Sequence, residues 1–261
     1  MNKNITCAIK TAVIPAAGMG RRLKPYTTAL PKCMLKVGSK PILQHTIEAL
    51  EKNGFEHLII ITGHKAEVIK NFLHSYQTSL KVSFVHNDDY DSTNNIYSLA
   101  LAFPLLTEGF MLIESDLIID PEMYQYFIEP DRIALDKYDP NVHSGTTAHV
   151  CNKKLRHLYV YHKPDTQNNI HKTVNIYSFS AESVLLLQKK IWEYVDEGEL
   201  QIFYEKAISD LINTESIELV MVDFSDSMWH EIDTAEDLAY ANSKYSESEI
   251  LFEYKYANFL E

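Results

Sequence analysis

The run Ala12-Val13-Ile14-Pro15-Ala16-Ala17-Gly18-Met19-Gly20-Arg21-Arg22-Leu23-Lys24-Pro25, followed by Leu30-Pro31-Lys32, decides how this chain is read. The short apolar segment Thr11 to Ile14 predicts a buried strand. It breaks into Ala-Ala-Gly-x-Gly, where small residues let backbone N–H groups approach a polyphosphate with no Cβ in the way. Arg21, Arg22 and Lys24 set positive charge beside the loop, and Lys32 has the reach to bridge phosphates from the opposite side. No Gly-x4-Gly-Lys-Ser/Thr occurs, so this is not a P-loop, and the three-glycine spacing of the dinucleotide fingerprint is missing as well. A lone G-x-G after a strand is as readily a tight turn as a site; the Arg and the Pro-Lys at fixed offsets favour the site.

Outward from this run, strand-like and helix-like segments alternate. Leu43–Asn53 has the apolar spacing of a helix, Leu58–Thr62 reads as a strand, Ala66–Tyr76 as a helix and Val82–His86 as a strand. That βαβαβ rhythm predicts a parallel sheet with right-handed crossovers and ligands at the carboxyl ends of its strands. Gly109–Asp116 is a further strand ending in a carboxylate at the same edge. Arg132–Lys137, Thr146–Cys151, Leu155–His162, Thr173–Phe179 and Glu218–Asp223 read as later strands, with helices at Ala181–Val195 and Ile202–Ile212. The short late strands suggest an extension of the sheet that covers a substrate. One domain is expected over residues 1–261, with a core of about 10–242 and a tail from Ser243 onwards. Phe252, Tyr254, Tyr256 and Phe259 in that tail read either as a homodimer contact or as a docked helix.

Composition narrows the class. The 261 residues carry 36 acidic against 24 basic side chains, a net charge of −12, which argues against a nucleic-acid partner because a phosphate backbone needs a clustered positive field. Cys7, Cys33 and Cys151 show no C-x-x-C spacing, which suits a reducing compartment, and Cys33 beside Lys32 reads as a small structural residue. No apolar run approaches the roughly 20 residues of a membrane helix, and the start lacks a signal-peptide core, so the expectation is a cytoplasmic protein with no membrane span. The eleven histidines show no ligand-like spacing.

Two carboxylates fall where an ion would be useful. Asp116 emerges at the end of its strand beside the glycine loop, and Asp233 lies in His230-Glu231-Ile232-Asp233-Thr234-Ala235-Glu236-Asp237-Leu238. Two carboxylates with phosphate oxygens make a Mg²⁺ site. Asp233-Thr234 before Ala-Glu-Asp-Leu reads equally as a helix N-cap, and Asp233 is open to both roles.

The glycine run resembles the A-A-G-x-G-x-R-L-x-P…P-K signature of the nucleotidyltransferases that join a nucleoside triphosphate to a sugar phosphate or a phospho-alcohol. Together with the segments at Asp116 and Asp233, the resemblance reaches from Thr11 to Leu238. It implies an α/β fold of the nucleotide-diphospho-sugar transferase type, a Rossmann-like three-layer sandwich around a central, mostly parallel sheet with a small β extension. By the same resemblance Ala16, Ala17, Gly18, Met19, Gly20 and Arg21 bind the nucleotide, Arg22 and Lys32 contact its triphosphate, and Asp116 and Asp233 bind Mg²⁺. Arg21 departs from the pattern, which usually has Ser or Thr there.

The stretch Asn87-Asp88-Asp89-Tyr90-Asp91-Ser92-Thr93-Asn94-Asn95-Ile96-Tyr97-Ser98-Leu99 follows a strand and opens a helix. Its amides read either as groups that contact a pyrimidine edge or as a cap. It resembles the N-N-x-Y-S-L segment of bacterial phosphocholine cytidylyltransferases and their phosphonate-handling relatives, as do Glu114-Ser115-Asp116 and Lys172–Phe179. That branch implies CTP as donor, with Asn94, Asn95, Ser98 and Glu114 at the nucleotide, and phosphocholine or 2-aminoethylphosphonate as the type of acceptor. Both acceptors carry a positive nitrogen, which an aromatic wall and a carboxylate hold. Tyr204, Glu205, Asp136 and Trp229 are candidates for that end, and Lys137 or Lys172 for the phosphorus end. The competing expectations are a sugar-1-phosphate nucleotidylyltransferase, for which no Gly-rich sugar motif is found, and a non-catalytic nucleotide-sensing subunit.

Overall fold

The computed structural model describes residues 8–164 and 168–245. Strand β1 (Thr11–Ala16) is buried on both faces: Val13 enters one apolar core, while Ala12 and Ile14 enter another. A strand of that kind needs cover on both sides, and the following chain supplies it. The hairpin β2 (Lys36–Val37) and β3 (Lys40–Pro41) leads to α1 (Ile42–Lys52), β4 (His57–Thr62), α2 (Ala66–Ser75), β5 (Lys81–His86), α3 (Asn95–Ala102) and β6 (Phe110–Ile113). Strands β5, β4, β1 and β6 lie side by side and parallel. Leu43, Ile47 and Leu50 of α1 with Ile69 of α2 cover one face, and Ile96 and Leu99 of α3 cover the other.

The direction of winding decides where a ligand goes. From β1 the chain steps outward to β4 and β5, then returns to β6 on the other side of β1. Loops leaving the carboxyl ends of β1 and β6 therefore diverge, and a crevice opens between them. The glycine run leaves β1, and Glu114-Ser115-Asp116 leaves β6.

The later chain adds β7 (Leu117–Ile119), β8 (Arg132–Lys137), β9 (Thr147–Cys151), β10 (Lys154–Tyr159), β11 (Ile170–Phe179), α4 (Ala181–Asp196), α5 (Tyr204–Asn213), β12 (Val220–Asp223) and β13 (Trp229–Glu231). The sheet reaches nine strands in the order β5-β4-β1-β6-β11-β8-β12-β10-β9. Its parallel half is the expected one, and from β11 onward the directions are mixed, with β11 antiparallel to both β6 and β8. α4 and α5 join α3 in one outer layer, completing the three-layer α/β sandwich. β7 and β13 pair as a separate ribbon, and a helix α6 covers 235–245.

The strand expected over Gly109–Asp116 ends at Ile113. Its partner ladder breaks there, because β11 pairs with it only as far as Ile113↔Ile176 and the next residue, Asn175, has a left-handed backbone (φ 61°). Glu114 to Asp116 are thereby released into the crevice. The start of the tail docks: Tyr245 packs with the cluster of Leu23, Val37 and Ala241 and sits edge-on to His45, ring centres 4.9 Å apart. The tail aromatics from Phe252 onward lie outside the described residues, as does Cys7. Cys33 is buried, Cys151 is exposed, and both are free thiols. No helix among the described residues is long and apolar enough to cross a membrane.

Candidate active site

The glycine loop is shaped by two different requirements. Gly20 has φ 55°, and a Cβ there would stand 2.9 Å from Thr27 Cγ2, while Thr27 Oγ1 donates to the Gly20 carbonyl at 2.8 Å. That position is fixed by conformation and packing. A Cβ on Gly18 would meet nothing within 4 Å, because Gly18 faces open cleft. Leu23 is fully buried against Leu35, Ile42, Ile118 and Ile232, and this anchor holds the short turn Arg21–Leu23 so that Arg22 Nη2 donates to Asp233 Oδ1 at 2.7 Å.

Lys32 is the centre of the site. Its Nζ donates to Asp116 Oδ2 at 2.5 Å and to Asp233 Oδ1 at 2.6 Å. Burial disfavours the ammonium, but the two carboxylates outweigh it and hold the Lys32 pKa above its ordinary value. The helix-cap role belongs to Thr234 and not to Asp233. Thr234 Oγ1 accepts from Asp237 N, and Asp237 Oδ2 accepts from the N–H groups of Asp233 and Thr234 at 3.0 and 2.7 Å. The Asp233 carboxylate is left to the cluster.

Glu231 completes a set that the sequence reading left unassigned. One carboxylate oxygen from each of Asp116, Glu231 and Asp233 lies within 4.8 Å of the others. The signal was the alternation Glu-Ile-Asp: Ile232 is buried in the core below, so its two neighbours share the opposite side. Asp116 Oδ1 is buried without a hydrogen-bond partner. An orphaned carboxylate oxygen among three hard oxygen donors fits a divalent cation of the magnesium type.

Two cavities of 340 and 320 Å³ meet at this cluster and share Arg22, Lys32, Asn95, Glu114, Asp116 and Asp233. The first is walled by Ala16, Ala17, Gly18, Gly20 and Arg21 on one side and by Tyr90, Thr93, Asn94 and Ser98 on the other. Met19 does not line it. Asn94 and Asn95 also act as a clasp. The Asn94 side-chain amide donates to the Gln201 carbonyl at 3.0 Å, and Asn95 Oδ1 accepts from the Tyr204 N–H at 3.0 Å, at the first turn of α5. Asn87, the first residue of the Asn87–Leu99 stretch, is fully buried and donates to Thr93 Oγ1 and Ser98 Oγ, shaping the wall from behind.

The Nucleotidyl transferase family model matches residues 11–248. The chain belongs to that family. The chain is 26% identical to the CMP-5'-(3-aminopropyl)phosphonate synthase of Streptomyces rubellomurinus over 94% of its own length and 41% of the relative's. It is 35% identical to the choline-phosphate cytidylyltransferase of Streptococcus pneumoniae over 44% of its own length and 48% of the relative's. The matches thus span about half or less of these curated relatives. Among solved structures, the CTP:phosphocholine cytidylyltransferase LicC of Streptococcus pneumoniae superposes with a TM-score of 0.73 at 21% identity, covering 91% of this chain and 99% of that one. A UDP-glucose pyrophosphorylase from Acinetobacter baumannii gives 0.74 at 15%, covering 97% and 98%. Both establish the fold.

The second cavity is walled by Ser144, Gly145, Thr146, Val160, Lys172, Asn175, Phe203, Glu205 and Glu231. Of the residues expected at an acceptor, Lys172 and Glu205 line it. Tyr204 stands behind it, fully buried, with its hydroxyl donating to Glu114 Oε1 at 2.7 Å. Lys137 and Trp229 are corrected. Lys172 pairs with Asp136 across β11 and β8, so Lys137, one residue on, faces the other side of the sheet. Trp229 shares the side of Glu231 but lies two residues, about 7 Å, further along its strand, where its Nε1 donates to Asp136 Oδ2 at 2.8 Å.

Burial shapes the titration of the acids in this cavity. Glu114 is held well above the usual carboxylate range by burial and by the charge of Asp116, and burial, with the charge of Glu231, pushes Glu205 up to about 7. Glu205 therefore binds its proton more tightly folded than unfolded, and the stability it contributes below its ordinary value of 4.5 is lost as the pH rises through 7. The melting temperature of Glu205→Gln, which cannot ionise, is expected to gain on the unsubstituted protein between pH 5 and pH 8. Thermal melts across that range check this, and a constant difference would contradict it.

Proposed function

We propose that the protein is a CTP-dependent cytidylyltransferase whose acceptor is a small phosphonate or phosphate bearing a positive nitrogen. The observation that carries the reading is the pair of cavities meeting at Lys32, Asp116 and Asp233. One has a glycine-rich wall suited to a triphosphate, and the other has a charged wall suited to a small polar acceptor. Support for CTP and for this acceptor type comes from the N-N-x-Y-S-L segment and from relatives named for aminopropylphosphonate and choline phosphate.

In this reading the acceptor oxygen, already ionised near neutral pH, attacks the α-phosphorus of CTP from the second cavity. The new P–O bond forms as the bond from the α-phosphorus to the bridging oxygen breaks, and pyrophosphate leaves with the electron pair. No proton has to be removed from the nucleophile. Lys32 and Arg22 neutralise charge that builds on the α-phosphate and the departing pyrophosphate. Asp116 and Asp233, with Glu231, would hold a divalent cation, which supplies Lewis-acid neutralisation of the same phosphates when bound.

Pyrophosphate release with Mg²⁺ tests the reading, with CTP, UTP, dTTP, ATP and GTP crossed against 2-aminoethylphosphonate, phosphocholine and glucose 1-phosphate. Release with CTP and a nitrogen-bearing acceptor is expected. Release confined to UTP or dTTP with glucose 1-phosphate overturns it in favour of a sugar-phosphate nucleotidylyltransferase.

A further inference from the structure

The far wall of the acceptor cavity holds a carboxylate lacking a donor. Glu205 is the second residue of α5 and only 6% exposed, and its Oε2 is buried with no hydrogen-bond partner. Asn95 Oδ1 accepts from the N–H of Tyr204, the residue before Glu205, at 3.0 Å, which fixes the start of the helix that carries Glu205. An unsatisfied buried acceptor destabilises the empty protein, so a ligand N–H delivered to it recovers what the empty protein gives up.

The rest of the wall says what kind of nitrogen delivers that N–H. Glu114 and Glu231 also face the cavity, near Lys172, whose Nζ donates to the Thr173 carbonyl at 2.9 Å and stands 3.8 Å from Glu231 Oε2. Over the whole lining Glu114, Asp116, Glu205, Glu231 and Asp233 stand against Arg22, Lys32 and Lys172, and that excess of carboxyl groups favours a cation. Phe203 is the one aromatic residue among the described residues lining the cavity; its N–H donates to the Tyr161 hydroxyl at 2.7 Å, and its ring stacks on Tyr161, centres 5.8 Å apart. A quaternary ammonium has no N–H and is held by aromatic faces on several sides; this wall offers one face, and carboxylate oxygens elsewhere. A primary ammonium has three N–H donors, matching what the wall lacks.

We propose that the acceptor is a primary-ammonium compound, recognised through its N–H groups by Glu205, and that the enzyme discriminates against the N,N,N-trimethyl form of the same molecule. The inference rests on the cytidylyltransferase reading and assigns Glu205 as the residue that sets acceptor specificity. A binding site built to accept a hydrogen bond rejects an analogue that cannot donate one, because the buried oxygen is again left unpaired.

The experiment compares matched acceptors with CTP and Mg²⁺: 2-aminoethylphosphonate against its N,N,N-trimethyl counterpart, and phosphoethanolamine against phosphocholine. The primary amine is expected to win by about tenfold to a hundredfold in kcat/KM in each pair. In Glu205→Gln the KM for the amine is expected to rise about tenfold or more with the KM for CTP held within a factor of about three, and the preference within each pair to shrink. Equal or better use of the trimethyl compounds by the unsubstituted enzyme overturns the assignment while leaving CTP-dependent transfer standing. Release with glucose 1-phosphate alone overturns both. An undiminished preference in Glu205→Gln removes Glu205 from the recognition.

Discussion

Lys32→Ala is expected to lower kcat/KM for pyrophosphate release by about 10²–10³-fold, the usual effect of removing one fixed group from a site of developing charge. The size follows from position. The Lys32 ammonium lies at hydrogen-bond distance from Asp116 and Asp233 at once, on the wall common to both cavities, with its side chain only 14% exposed. Without it those two carboxylates keep only Arg22 as a cationic partner, through Asp233. Removing one member of a largely buried ion cluster costs about 3–5 kcal/mol when burial is complete, and the partial exposure of these side chains reduces that to about 2–3 kcal/mol. The variant is therefore expected to melt earlier and to gain more in melting temperature from added Mg²⁺ than the unsubstituted protein, because a divalent cation restores the missing positive charge. Activity within threefold of the unsubstituted protein would make Lys32 a structural counter-ion and nothing more.

Asp116→Asn keeps the shape and removes the charge. Turnover is expected to fall by about 10³-fold or more, and the Mg²⁺ concentration for half-maximal rate to rise, since Asp116 supplies both a partner to Lys32 and the one orphaned oxygen of the acidic set. Cooperative unfolding near the original temperature keeps the comparison honest about folding. If rate and Mg²⁺ dependence both survive, the divalent cation is not held at Asp116.

Much of this arrangement was legible in the chain itself. The glycine run could be read because loop shape and cation placement are both local: Gly18, Gly20 and Arg22 sit within five residues, and the following turn is pinned by Leu23. Asp116 could be singled out because it follows the apolar run Phe110–Ile113, and Asp233 because its Glu-Ile-Asp-Thr-Ala-Glu-Asp segment resembles the family pattern. What escaped was set by relations between distant segments. Lys137 and Lys172 are equivalent as residues, and only the register of β8 against β11 separates them. Trp229 was misplaced by one strand repeat. Asn94 and Asn95 look like base-reading amides in isolation, and their clasp on α5 depends on a segment more than a hundred positions later. Glu231 reaches Asp116 only through the pairing of β13 with β7, which sets it opposite Leu117.

The cluster around Lys32 also says something about how the protein is made. Arg22 and Asp233 are 211 positions apart, Lys32 and Asp233 are 201, and the apolar patch beneath them joins Leu23 and Leu35 to Ile232 and Ala241. Pairings that remote form late, after nearer elements have closed their shorter loops. During synthesis the parallel half of the sheet, complete by Ile113, can take shape with its phosphate loop in place while Asp233 has yet to be added. A nascent chain therefore owns its glycine loop long before it owns the full set of charges that gather around Lys32, and the cluster is completed only once Asp233 has been added.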